Sequence, residues 1–123
     1  MTAWTPSELA AVGGADELHI ATRRDDGTLR TARIVWVVRH GDALYVRSVN
    51  GRGAAWYRGV QTRYQGHISA GGVQTDVTFL DADHALDDDL DSAYRRKYGR
   101  YPEPTERITA PAARETTLRL DPA

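Results

Sequence analysis

The chain has 123 residues, 41% of them hydrophobic and 27% charged, and its 16 basic and 17 acidic residues leave a formal net charge of -1. That length fits a single domain, 1–123, with one core and no separate cofactor domain. The composition excludes a wholly disordered chain, and the balanced charge excludes bulk attraction to nucleic acid or to an anionic membrane.

Cysteine is absent, which removes disulfides, thiolate metal sites and cysteine nucleophiles together. The first stretch, MTAWTPSELAAVGG, lacks a basic segment followed by a long apolar run, so it does not read as a secretory signal. No apolar run approaches the ~20 residues that span a bilayer. The expectation is a soluble, cytoplasmic protein.

Along the chain, Thr5-Pro6-Ser7-Glu8 has the chemistry of a helix start: Thr5 as N-cap, Pro6 at the first helical position and Glu8 reaching back. Gly13-Gly14 ends that helix. DELHIATR then alternates, with Leu18 and Ile20 on one face and His19 on the other, and Asp25–Thr28 is a turn signal. Leu29–His40 and Ala43–Asn50 are β-branched and aromatic runs joined by a short turn around Gly41-Asp42. Ala54, Ala55 and Trp56 begin a short helix flanked by glycines. GHISAGG and VQTDVTFLDAD pair across Gly71-Gly72.

Leu86–Gly99 places acids early and bases late, as a helix dipole prefers, with Gly99 as C-cap. YPEPTE reads as a loop and ARETTLRL as a last strand. Antiparallel hairpins with little room for crossovers predict a mainly β (α+β) fold: a small antiparallel split β-barrel of about six strands with flanking short helices.

A two-residue turn in the central hairpin puts Arg33, Val35 and Val37 on one face with Leu44, Val46, Ser48 and Asn50. Ile34, Trp36 and Val38 share the other with Tyr45, Arg47 and Val49. Both faces are apolar near the turn and polar at the far end, as in a barrel wall buried on two sides that opens at one end. There begins RSVNGRGAAWYRG. Gly51 and Gly53 allow positive φ and expose N–H groups as anion donors. Arg47, Arg52 and Arg58 supply forked donors for phosphate oxygens, and Trp56 and Tyr57 offer planar surfaces. Those are the parts of a phosphate-and-ring site. On composition alone, a plain strand-to-helix connection, with Trp56 in the core and the arginines solvated or paired with the acidic stretch, is the more economical reading.

The segment TLRTARIVWVVRHGDALYVRSVNGRGAAWYRGVQTRYQGHI resembles the split β-barrel flavin-binding superfamily, in which pyridoxamine-phosphate-oxidase-like proteins sit beside a deazaflavin-dependent nitroreductase branch. The likeness runs from about Leu18 to Ile68. AGGVQTDVTF and DDDLDSAYRRKYGRYP, with NGRGAAWY, look like a bacterial family known as domain of unknown function 2255. The resemblance implies a homodimer of split barrels with FMN or a deazaflavin coenzyme in a groove between barrel and partner.

It also implies that Arg30, Thr31 and Arg33 line the flavin, that Arg47 and Ser48 end the next strand, and that Asn50, Gly51, Arg52, Trp56 and Tyr57 lie beside the phosphate. The function implied is a nitroreductase-like oxidoreductase transferring hydride to a small molecule, the cofactor carrying the chemistry. Two departures support an alternative, a non-redox ligand-binding or structural dimer with its groove filled by Trp36 or Trp56. Arg33 stands where the deazaflavin branch commonly has proline, and the loop from Asn50 to Trp56 is shorter than in that branch.

Other patterns read as structure. His19, His40, His67 and His84 have no ligand spacing. Asp81–Asp91 lacks the glycine and closing glutamate of a calcium loop and reads as a solvated helix start. YRRKYGRYP reads as a cationic helix end. Tyr45, Tyr57 and Tyr64 are candidate proton donors, more economically packing residues. No serine sits in a hydrolase elbow.

Overall fold

The computed structural model describes residues 3–123. The helix α1, Pro6–Gly13, starts at the full capping box foreseen: Thr5 Oγ1 accepts from the Glu8 amide at 3.1 Å and Glu8 Oε1 accepts from the Thr5 amide at 2.9 Å. Four strands follow: β1 (Leu18–Thr22), β2 (Arg33–Val35), β3 (Val37–His40) and β4 (Ala43–Val46). A short 3₁₀ turn, Gly51–Gly53, leads into α2 (Ala55–Arg63), then β5 (Gln65–Ala70) and β6 (Val73–Asp81). A second 3₁₀ turn leads to α3 (Asp87–Tyr98), α4 (Pro102–Ile108), α5 (Pro111–Arg114) and β7 (Leu118–Pro122).

The strands form one antiparallel sheet in the order β2-β1-β5-β6-β7-β4-β3. Its two end strands are consecutive in sequence, separated only by Trp36, so the sheet curls into a nearly closed barrel and one chain segment serves both edges. This raises the count to seven strands where the sequence indicated about six. The single run Leu29–His40 pairs with β1 before Trp36 and with β4 after it.

The turns obey the sequence. His40 faces Ala43 across Gly41-Asp42, with Gly41 at φ +60°. Ala70 faces Val73 across Gly71-Gly72, both glycines in the left-handed region that two-residue hairpins require. A Cβ on Gly71 would also lie 2.2 Å from the Ala11 carbonyl oxygen.

Both faces of β3–β4 are buried, as their pattern implies. Val37, Leu44 and Val46 join Leu18, Ile20, Ile68 and Phe79 inside the barrel. Val38 and Tyr45 face outward beneath Leu90, Tyr94, Tyr98 and Ile108 of α3 and α4. Full burial of each such side chain is worth about 1.5–3 kcal/mol, which fixes α3 and α4 onto this wall.

Two expectations need correcting, the loop at YPEPTE and the solvation of the acidic run, and one holds. The stretch YPEPTE is a helix start rather than a loop, with Tyr101 as N-cap and the rest in α4: Pro102 occupies a first-turn position where a missing N–H costs nothing, and Glu103 early with Arg107 late suits the dipole. Gly99 caps α3 as expected, at φ -60°, and the chain turns directly into the next segment with the Tyr101 N–H bonded to Tyr98 O. The acidic run is only partly solvated, since Asp91 is 2% exposed.

Candidate functional site

β3 and β4 stay paired as far as Val37 opposite Val46. Beyond that point they diverge, Arg33–Trp36 toward β1 and Arg47–Asn50 toward α2. The gap is a groove of about 490 Å³. One wall is Arg33, Ile34, Val35 and Trp36, and the other is Arg47, Ser48, Val49 and Asn50. Ala54, Ala55 and Trp56 at the start of α2 line it further, as do Pro104, Arg107 and Ile108 of α4. The groove is therefore the split in the barrel itself, and α4 supplies part of its lining.

The strand that turns away leaves β3 with a free edge, and α3 satisfies it. The Val37 amide donates to Tyr98 Oη at 3.3 Å, and the Val37 carbonyl accepts from Lys97 Nζ at 2.7 Å. Tyr98 Oη in turn donates to the Asp16 carbonyl at 2.8 Å, and burial pushes this phenol up to about 12. Trp36 lies flat on Tyr98, ring centroids 3.9 Å apart and 4° from parallel. Trp36 thus belongs to the groove's wall, and neither it nor Trp56 fills the space.

Arg47 borders the groove, but its guanidinium turns away from it. It shares a face with Tyr45, and that face is the one α3 covers. Its side chain is fully buried. Nε donates to Thr117 Oγ1 at 2.9 Å, Nη1 to Asp91 Oδ1 at 2.5 Å and to the Ile108 carbonyl at 3.1 Å, and Nη2 to the Asp87 carbonyl at 3.3 Å. The ring of Tyr94 stacks on the cation at 5.3 Å. Arg114 closes the other side of Asp91 with a close ion pair from Nη2 and a second bond from Nε at 2.9 Å. Burial alone would raise the Asp91 carboxyl, but hydrogen bonds and charge from Arg114 and Arg47 outweigh it and hold the group below the usual range. For Arg47, pairing with the acidic stretch is what the fold realises.

The other residues singled out in the sequence divide by position. Arg33, Ser48, Asn50 and Trp56 line the groove with Arg47. Ser48 is internally satisfied, its Oγ donating to the Gly51 carbonyl at 2.7 Å and its amide to Thr116 Oγ1 at 2.8 Å. Arg30 lies outside the groove, its Nη1 on the Arg23 carbonyl at 2.9 Å. Thr31 is exposed.

Gly51 has φ +73° as its turn requires, but its amide donates to the Ser48 carbonyl at 3.0 Å and is not free for an anion. Gly53 is not in the left-handed region. Arg52 and Tyr57 border a separate recess of about 240 Å³, where Arg52 Nε meets Glu115 Oε2 at 3.4 Å and Tyr57 Oη accepts from Gln61 at 3.3 Å. Burial pushes the Tyr57 phenol up.

Sequence reasoning missed Arg107. Its Nη2 donates to Asn50 Oδ1 at 2.9 Å, a neutral partner that leaves the cation uncompensated. The Arg33 side chain makes no hydrogen bond or ion pair among the described residues, its backbone being paired with β1. No carboxylate lines the groove, so two arginines present net positive charge between two indoles. The outer edge of β2, paired on its other side with β1, adds free backbone donors and acceptors. Two apolar side chains of the lining are also open to solvent: Ile34 is 56% exposed and Val49 38%. Among the described residues no helix is long and apolar enough to cross a membrane.

This architecture has solved counterparts. An F420 reductase superposes with a TM-score of 0.59 at 18% identity, covering 94% of this chain and 92% of that one. A pyridoxamine 5'-phosphate oxidase-like protein of Listeria innocua gives 0.61 at 11% identity, covering 94% and 88%. General Stress Protein 26 of Bacillus anthracis gives 0.59 at 12% identity, covering 93% and 83%. At these identities the likeness is one of fold. No curated protein sequence matches the chain. A family profile described as an uncharacterized protein conserved in bacteria (DUF2255) matches residues 8–120, and the chain belongs to that family.

Proposed function

We propose that the groove holds a flavin or deazaflavin coenzyme and that the protein is an oxidoreductase acting on a small molecule. The observation that carries this reading is the groove itself. Its volume falls within the ~300–1,000 Å³ of small-ligand sites, and its lining combines Arg33 and Arg107, Trp36 and Trp56, and no carboxylate. A planar ring bearing an anionic tail fits that donor set. The comparison with an F420 reductase and a pyridoxamine 5'-phosphate oxidase-like protein supports the ligand class.

In this reading the coenzyme supplies hydride transfer, and the chain's residues do the rest. Arg33 and Arg107 attract and orient the anionic tail. Trp56 and Trp36 flank the ring and exclude water. The free edge of β2 and Asn50 offer hydrogen bonds to the ring's polar rim. A second copy of the chain completes the site: Ile34 and Val49 in the groove's walls are exposed apolar surface that a homodimer would cover.

One observation favours the second reading, a non-redox binder of an anionic planar ligand. The glycine-rich turn spends its Gly51 amide on Ser48 and turns Arg47 inward, so it makes no phosphate cradle of its own. Titration of the purified protein with FMN and, separately, with the deazaflavin coenzyme, followed by the coenzyme's fluorescence, separates the two. Saturable binding of one of them with reduction of the bound form by a chemical donor supports the oxidoreductase. No saturation with either rejects it.

A further inference from the structure

The second recess, about 240 Å³, lies across the start of α2 from the groove: Trp56 lines the one and the next residue, Tyr57, the other. It falls below the ~300–1,000 Å³ of drug-sized ligand sites, which suits a single small metabolite and not a coenzyme. Its distinguishing feature is unspent hydrogen-bonding capacity. Tyr57 is 2% exposed, so its hydroxyl has little water to turn to. Its Oη accepts from Gln61 Nε2 at 3.3 Å, yet the hydroxyl's own hydrogen has no acceptor among the described residues. Burial pushes the phenol up, so that hydrogen stays in place at neutral pH. A buried donor without an acceptor is rare in a folded protein and points to a partner that the fold itself does not supply.

The charges around that hydroxyl are of both signs. Arg52, Asp81 and Glu115 all bear on it electrostatically, and His84 lines the recess with them. Arg52 and Glu115 touch at one point, Nε to Oε2 at 3.4 Å, with side chains 63% and 58% exposed. An exposed pair with one long contact contributes little and opens readily. Both Nη groups of Arg52 and the second oxygen of Glu115 make no bond among the described residues. Asp81 takes only the Tyr64 hydroxyl, at 3.2 Å, and His84 spends Nδ1 on Asp87 at 3.2 Å.

A ligand with one charge leaves half of this set unserved. A lone anion faces two carboxylates, and a lone cation offers nothing to Arg52 or to the Tyr57 donor; a zwitterion serves both. Because Arg52 and Glu115 stand one contact apart, the ligand's own charges must lie close together, on one carbon rather than at opposite ends of a chain.

We propose that this recess is a second ligand site, which takes a free α-amino acid. The ligand's carboxylate accepts from the Tyr57 hydroxyl and from Arg52, and its ammonium donates to Glu115 and Asp81. The site does not depend on whether the groove binds a coenzyme.

The test is an NMR titration of the intact native protein, following backbone amide shifts, with each of the standard L-amino acids up to about 10 mM, where a ligand of ~1 mM affinity fills about 90% of the sites. At least one is expected to saturate, with the largest shifts in residues 52–61, 81–84 and 115–117, which carry the lining. The methyl ester and the des-amino acid of the best binder, and the long ω-amino acid 6-aminohexanoate, should each bind at least tenfold more weakly. Tyr57→Phe, Arg52→Ala and Glu115→Gln should each weaken the amino acid about tenfold or more, as loss of a charge-assisted hydrogen bond does. Arg33→Ala/Arg107→Ala in the groove should leave it unchanged. Arg52 and Glu115 are exposed, so their variants keep the fold even where Tyr57→Phe disturbs packing. No saturation by any amino acid overturns the site. So does a des-amino acid that binds as tightly, or binding that survives Arg52→Ala and is lost with the groove arginines.

Discussion

Replacing Arg47 by methionine separates a structural from a ligand-binding role for the most conspicuous arginine of the sequence. Methionine keeps much of the apolar stem and removes the charge. Lost with it are the bonds to Thr117, Asp91, Ile108 and Asp87 and the stacking on Tyr94. Removing one partner of a buried pair costs about 3–5 kcal/mol, because the other charge stays buried. Asp91 keeps Arg114, whose side chain is one-third exposed, so the lower end, about 3 kcal/mol, applies.

A domain of this size holds about 5–15 kcal/mol in total, so the variant remains folded but weakened. With a urea dependence of about 2 kcal/mol per molar, the midpoint drops by about 1.5 M. Urea unfolding followed by far-ultraviolet circular dichroism reads this directly. A shift under about 0.3 M, together with a loss of coenzyme affinity, would refute the assignment and make Arg47 a ligand contact.

Three further outcomes follow from the same geometry. Because the folded Asp91 carboxyl lies below its unfolded value of about 3.9, its contribution is fully present above pH 5 and is lost as pH falls through the folded value. Acid unfolding curves should therefore steepen below about pH 4 for the native protein and be flatter there for Asp91→Asn. Gly71→Ala forces a side chain into a left-handed turn and against the Ala11 carbonyl. A loss of about 1–3 kcal/mol in urea unfolding is expected, and a neutral effect would contradict the turn geometry. Arg107→Ala removes a charged donor from the groove and should weaken coenzyme binding by about 10- to 100-fold with little change in unfolding midpoint.

Much of the architecture was legible because it is local. The capping box at Thr5, the glycine pair at Gly71-Gly72 and the alternation through the central hairpin each specify structure within a few residues. The hairpin's face assignment even places Arg47 with Tyr45 and Val38, the face that α3 covers. What escaped was long-range. Nothing near Trp36 announces that its strand changes partners, since neither proline nor glycine stands there, and Tyr98, which packs on Trp36 and bonds the Val37 amide at that point, is 62 positions away. Asp91 reads as one more acid in a solvated run because its partners Arg47 and Arg114 are distant in sequence. Two prolines masked α4, and with it Arg107, although Pro102 and Glu103 at its start and Arg107 near its end carried the signal of a short helix.

The measurement that bears most directly on the groove is an equilibrium titration of FMN and of the deazaflavin coenzyme against the native protein, the Arg33→Ala/Arg107→Ala double variant and Arg52→Ala. Binding at one coenzyme per chain, weakened at least tenfold in the double variant and unchanged in Arg52→Ala, is the predicted result. Binding that survives loss of both groove arginines, or that depends on Arg52, would contradict the account.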